Sequence, residues 1–238
     1  MVRKSRKSRE EWKIMHNVFD NFTERRIHKL ITEGHFEGLY GQICLGKEAN
    51  IFSARRKDGS FVIVKIYRLE SCNFRQMFDY IKQDERYEKL KKQKREIIFS
   101  WAQREFRNLM IAREAGVRVP RPMVIKDHII VMELIGDGEK VAPQLKDEQP
   151  ENPEEYYKTV AEYMKKLYHN GLVHGDLSKF NILTHRDKPV FIDFSQSTTV
   201  RSRQSEELLE RDAKNIVNHF LKLGLKVDEK ELKEEIIK

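Results

Sequence analysis

Apolar residues at Phe22, Ile27, Leu30 and Ile31, with Val18 before them, recur at helical spacing and predict a helix over residues 18–35, stopped near Gly34. The period then changes to that of strands. Residues 39–44 and 50–55 flank a short polar turn, Gly46-Lys47-Glu48, and Asp58-Gly59 turns the chain into a third strand, residues 61–67. Residues 70–95 are polar without a regular period and are expected to be irregular and partly mobile. Trp101, Ala102, Glu105, Phe106, Leu109 and Ala112 then mark one helix face, ended by Gly116 and Pro120. Residues 122–126 and 128–132 read as two further strands about an Asp127 turn.

After the break at Gly136-Asp137-Gly138 the pattern turns helical. Tyr156, Val160, Tyr163, Met164 and Leu167 line a helix that Asn170-Gly171 closes. Residues 190–194 make a short strand after Arg186-Asp187. Ser205 caps a last helix with Leu208, Leu209, Ile216, Val217, Phe220 and Leu221 facing inward, before Gly224. This gives an α+β chain in three parts. Residues 1–17 form a basic tail. Residues 18–134 hold a leading helix, a five-stranded antiparallel sheet and one long helix. Residues 135–238 form a mainly helical second lobe.

Charge changes the picture more than length does. Lys and Arg number 46 against 38 Asp and Glu, a formal charge of +8, concentrated at Arg3–Arg9 and at Lys89–Arg95. Such clusters suit phosphate-rich partners, although a solvated face is the commoner role for a basic run. No apolar run nears the roughly 20 residues of a membrane span, and the N-terminus lacks the apolar core of a secretory signal. Cys44 and Cys72 make no disulfide framework or zinc set and read as packing or surface positions. A cytoplasmic protein is expected.

The chemistry concentrates at His174-Gly175-Asp176-Leu177-Ser178-Lys179-Phe180-Asn181, followed by Phe191-Ile192-Asp193-Phe194. Phosphoryl transfer needs a carboxylate to take the acceptor proton, plus a carboxylate and an amide to hold magnesium. Asp176, Asp193 and Asn181 supply that kit in kinase spacing, with Asp-Phe-Ser where Asp-Phe-Gly is usual. His174 reads as a structural residue of the loop. Lys65, in Val62-Ile63-Val64-Lys65, matches the strand lysine that meets ATP phosphates. Its helix partner is chosen among Glu96, Glu105 and Glu114, and Glu105 is preferred for its inward-facing neighbours. The phosphate turn keeps one glycine, Gly46, and Lys47 substitutes charge for close backbone approach.

Taken in order, Gly46-Lys47-Glu48-Ala49-Asn50, Val64-Lys65-Ile66-Tyr67, the Trp101–Leu109 stretch, Val131-Met132-Glu133, His174–Ser178 and Ile192-Asp193 resemble the RIO atypical protein kinases, most of all the first RIO subfamily. The second subfamily carries an N-terminal winged helix, for which the stretch before Leu39 is too short. The resemblance implies a two-lobed protein-kinase-like fold whose truncated C-terminal lobe lacks an activation segment. It implies ATP with Mg2+, or Mn2+ in its place, and Glu133 and Ile135 as hinge backbone for adenine. It also implies Lys65 on phosphates, Asp176 as proton acceptor, Asn181 and Asp193 on metal, and Asp193 as the nucleophile of an aspartyl-phosphate. The partners it implies are a small ribosomal subunit precursor and its RNA, met by a monomer away from membranes. Cys44-Leu45 replace the family's usual Ser-Thr, removing one hydroxyl from the phosphate turn.

Two other readings stand beside this one. His-Gly-Asp followed by Ile-Asp also occurs in small-molecule phosphotransferases of the aminoglycoside and choline kinase type, and an RNA-binding scaffold could keep ATP only as a structural ligand.

Overall fold

The computed structural model describes residues 19–70, 74–87 and 90–238. The basic tail, Val18, Cys72 and Lys89 lie outside the described residues. Asp20 starts helix α1 (Asn21–Thr32) by accepting the Thr23 N–H at 2.7 Å, as a capping carboxylate does. Strands β1 (Gly38–Leu45), β2 (Ala49–Arg55), β3 (Phe61–Tyr67), β4 (Pro122–Lys126) and β5 (Ile129–Glu133) form one antiparallel sheet in the order β1-β2-β3-β5-β4.

Strand alternation divides β3 between two environments. Val62, Val64 and Ile66 pack with Phe52, Ile129 and Val131 against Ile27 and Leu30 of α1. Ile63, Lys65 and Tyr67 therefore face the opposite side, where Ile130 and Met132 meet the long helix. That second core is continuous into the C-terminal lobe, running from Trp101 and Leu109 through Tyr156, Leu177, Phe191 and Phe194 to Phe220.

Residues 70–95 hold more order than the sequence suggests. Helix α2 (Phe74–Ile81) buries Met77 and Ile81, and a 3-10 turn, Glu85–Tyr87, follows it. The apolar positions Phe74, Met77, Phe78 and Ile81 do have helical spacing, but over only two turns among polar residues. Helix α3 (Lys94–Glu114) begins within the same stretch.

In the C-terminal lobe, β6 (Gly136–Asp137) and β7 (Lys140–Val141) lead to helix α4 (Pro153–His169). The loops of interest lie among β8 (Leu172–Val173), the hairpin β9 (Ile182–His185) and β10 (Lys188–Phe191), and β11 (Thr198–Thr199), which pairs with β8. The strand expected over residues 190–194 stops at Phe191 because Asp193 takes a left-handed backbone (φ 61°) and opens a 3-10 turn, Phe194–Gln196. Helix α5 (Ser205–Lys222) starts with Ser205 inside it. The Ser205 hydroxyl donates to the Val200 carbonyl instead of capping. Leu221, expected to face inward, is exposed, since the buried stripe passes through Phe220. Nor is α5 the last helix. Asp228 caps α6 (Glu229–Ile237), which packs Leu232 and Ile236 into the core shared with α4.

Candidate active site

Lys65 enters the site because β3 presents it on the α3 side of the sheet. Its ammonium donates to Glu105 Oε1 at 2.7 Å and to Asp193 Oδ1 at 3.0 Å. Glu105 is buried and also accepts from the Tyr67 hydroxyl. Glu96 and Glu114, the alternative partners on α3, are both exposed. Burial would drive Lys65 down, but the Asp193 and Glu105 carboxylates outweigh it and hold the ammonium above its ordinary value. Burial would likewise raise Asp193. The Lys65 charge and the Ser195 side chain reverse this and leave it at about 2. Asp193 is therefore ionised throughout the neutral range.

Across from this pair, Asn181 Nδ2 donates to the Asp176 carbonyl at 2.7 Å and to its carboxylate at 3.1 Å. Its amide oxygen is the atom left to ligate a cation. Burial and the nearby Asp193 charge both push the Asp176 carboxyl up from its usual value, against Arg211 and Asn181. Two neighbouring carboxylates thus differ in proton affinity, an arrangement suited to one ligand and one proton acceptor.

The Asp176 loop is held from behind. Asp212 on α5 is buried and accepts the Gly175 and Leu177 N–H groups, each at 2.7 Å. Desolvation pushes its carboxyl up to about 7 despite those bonds. Asn215 Nδ2 donates to the Leu177 carbonyl at 3.0 Å, and Arg211 donates to the Gly175 carbonyl. His174 is buried against Phe194 and neutral, held near 4 by desolvation. Its Nε2–H donates to the Ile192 carbonyl at 3.1 Å, which leaves Nδ1 to accept the Asp176 N–H at 3.3 Å. Both bonds brace the loop.

The remaining expected residues lie at the periphery. Gly46 donates its N–H to the Ala49 carbonyl at 3.0 Å, and a Cβ there would sit 2.8 Å from that oxygen, so this turn admits no side chain without shifting. Lys47 is exposed at the tip. Glu48 has no role assigned from sequence; it is exposed, yet partial desolvation and then the Asp193 and Asp176 charges raise its carboxyl against the pull of Lys65. At the hinge, the Glu133 side chain makes a bidentate pair with Arg118 at 2.7 and 2.9 Å. The Glu133 N–H goes to Arg121, and the Ile135 carbonyl accepts from Ala142. Adenine contacts from these residues would fall to the Glu133 carbonyl and the Ile135 N–H.

A family model described as the RIO domain matches residues 50–232. The chain belongs to the RIO family. Among its curated RIO relatives, the RIO-type serine/threonine-protein kinase Rio1 of Haloferax volcanii is 41% identical over 222 residues, covering 93% of this chain and 77% of the relative. The Rio1 kinase of Methanocaldococcus jannaschii is 40% identical over 234 residues, 98% of this chain and 80% of the relative. The Rio2 kinase of Chaetomium thermophilum, solved as an ADP/Mg2+–phosphoaspartate complex, matches with a TM-score of 0.68 at 24% identity, over 88% of this chain and 65% of that one. This chain therefore spans just under two thirds of that Rio2 chain, and the likeness speaks for the two-lobed RIO kinase fold.

The site's chemistry fits a magnesium nucleotide. Among the described residues no three His, Cys, Asp or Glu side chains form a ready-made cation cage. Magnesium that arrives on phosphates needs only one or two protein carboxylates, with phosphate oxygens and water completing the shell. Asp193 and the Asn181 amide oxygen could meet that requirement, and the Lys65 ammonium stands 3.0 Å from Asp193, where a phosphate could also reach it.

Proposed function

We propose that this RIO protein is an ATP-dependent serine/threonine protein kinase and ATPase acting on the small ribosomal subunit during its maturation. The observation that carries the reading is the meeting of Lys65, Glu105 and Asp193 from one side with Asp176 and Asn181 from the other. Glu105 fixes the ammonium, and Lys65 orients the phosphates. Bound Mg2+, held by Asp193 and Asn181, would neutralise phosphate charge.

In the first step a carboxylate oxygen of Asp193 bonds to the γ-phosphorus as the bond to the β–γ bridging oxygen breaks, and ADP leaves with that electron pair. In the second, a water or hydroxyl oxygen attacks the phosphorus, Asp176 takes its proton, and the Asp193 carboxylate is restored. The low proton affinity of Asp193 and the raised affinity of Asp176 support this division of roles. The net charge of +8 supports an RNA-rich partner, whose binding should weaken steeply with salt.

The test is incubation with γ-labelled ATP and Mg2+, with and without small ribosomal subunits, followed by hydroxylamine. Label on the chain that hydroxylamine releases, and that Asp193→Asn abolishes, is expected. Label that resists hydroxylamine overturns the aspartyl step, and an absence of ATP consumption overturns the enzyme. Lys65→Ala should slow turnover by about 10²–10³, the usual size of a lost electrostatic contact to the transition state.

A further inference from the structure

The turn after Asp193 turns three carbonyls inward, and buried carbonyls need donors. Within the turn Ser197 N–H reaches back to Phe194 O at 3.3 Å. Side chains from two helices supply the rest. Asn108 Nδ2, on α3 and fully buried, donates to Phe194 O at 3.2 Å and to Ser197 O at 3.0 Å. Tyr80 Oη, on α2, donates to Gln196 O at 2.7 Å.

Both donors are themselves fixed. The Asn108 side-chain oxygen Oδ1 accepts from Arg86 Nη1 and Nη2, each at 3.3 Å, which turns the amide nitrogen toward the turn. Arg86 forks onto the buried Asp84 carboxylate at 2.6 to 3.0 Å. The Tyr80 ring lies edge-on to Trp101 at 5.8 Å and under the Arg104 guanidinium at 5.0 Å. Its hydroxyl also sits where the two catalytic segments touch. A Cβ on Gly175 would be 2.8 Å from Gln196 O and 3.3 Å from Tyr80 Oη. Tyr80 thus closes the joint between the Asp193 turn and the Asp176 loop.

We propose that Tyr80 and Asn108 are positioning residues that set the Asp193 carboxylate against Asp176, and that the Phe74–Tyr87 segment reaches the reacting groups through them. The proposal rests on the kinase reading for its rate effect, but its effect on metal does not require turnover. The Asp193 backbone is left-handed, a conformation that non-glycine residues keep only when their surroundings enforce it. With the donors removed, the carboxylate drifts while Lys65 and the hinge stay in place.

The experiment uses the full chain with Tyr80→Phe, which keeps the ring packing, and Asn108→Ala. Binding of a fluorescent ADP analogue is titrated with and without Mg2+, beside steady-state kinetics and thermal melts. Metal-free nucleotide affinity should stay near parental in Tyr80→Phe while the gain in affinity on adding Mg2+ shrinks. Its kcat should fall about 10- to 100-fold with KM for ATP little changed, the scale of an ångström-sized misplacement. The double variant should lose less than the product of the single losses, because both act on one turn. A parental Mg2+ response in both variants overturns the proposal. So does a loss of kcat that merely follows a loss of Tm with the Mg2+ response intact. If the parent binds Mg–nucleotide but transfers no phosphate, the kinase reading fails and the titration alone still decides the positioning role.

Discussion

The Asp176 loop and the Gly46–Glu48 turn stand on two sides of one cleft and are built in opposite ways. Gly175 and Leu177 hang from a buried aspartate, Leu177 O meets Asn215, and His174 braces Asp176 through its N–H. The opposite turn is a tip. Gly46 N–H to Ala49 O and Arg68 N–H to Glu48 O are backbone contacts, the Arg68 guanidinium reaches the Gly46 carbonyl from the surface at 3.5 Å, and Lys47, Ile43 and Leu45 are exposed beside it. Strand β1 even slips register twice on its way there. The groups proposed to do chemistry are fixed from behind by buried side chains, whereas the turn across from them is held by contacts at the surface. Preorganisation of the first kind acts on rate, and a surface turn that touches nucleotide acts on affinity.

The contrast breaks most sharply at Asp193. Asp193→Ala should lower phosphate release by at least about 10³, because it removes both the carboxylate proposed to hold metal and the counter-charge of Lys65. Asp212→Asn comes next. It aims an amide N–H at one of two backbone N–H donors, and should cost about 10² in kcat together with about 2–4 kcal/mol of unfolding free energy in urea melts. A pH profile separates the two carboxylates. Proton acceptance requires ionised Asp176, whose pKa lies above its ordinary 3.8, so kcat/KM should drop on an acid limb centred above that value. The slope there should be about tenfold per pH unit. Asp193, ionised down to about 2, contributes nothing to that limb. At the small end, Lys47→Ala should raise KM for ATP about two- to fivefold and leave kcat unchanged, the mark of uniform binding. An equal fall in kcat would erase the distinction between the two sides.

What could be read without coordinates follows the same division. The strands of the sheet and the amphipathic helices announce themselves by period, and Asp176, Asn181 and Asp193 by spacing along a short stretch. Asp212 announces nothing, and Tyr67 and Asn108 stand inside recognisable stretches without any sign of what they bond. Each is one polar residue in an ordinary helix or strand, and its partner is dozens of residues away: Asp212 lies 35 and 37 residues from the N–H groups it accepts. A buried polar bond of that kind leaves no periodic trace. Helix α2 failed differently, through brevity, since Met77 and Ile81 are buried on two turns too short to stand out from Arg, Lys and Gln around them. The residue after the last strand position was lost because a left-handed aspartate ends β-structure without proline or glycine to signal it.

Ser195, standing where a glycine is usual, bears on control. In ordinary protein kinases the packing of the phenylalanine in that triplet separates active from inactive forms. Here Phe194 has no exposed surface, lies 4.6 Å from the His174 ring, and is followed by a buried serine whose N–H faces the Asp193 carboxylate. The inward pose is packed on the His174 side and tethered next to Asp193, so an outward swing would first have to give up that burial. Inhibitors that work by ejecting this phenylalanine would have to offset that loss.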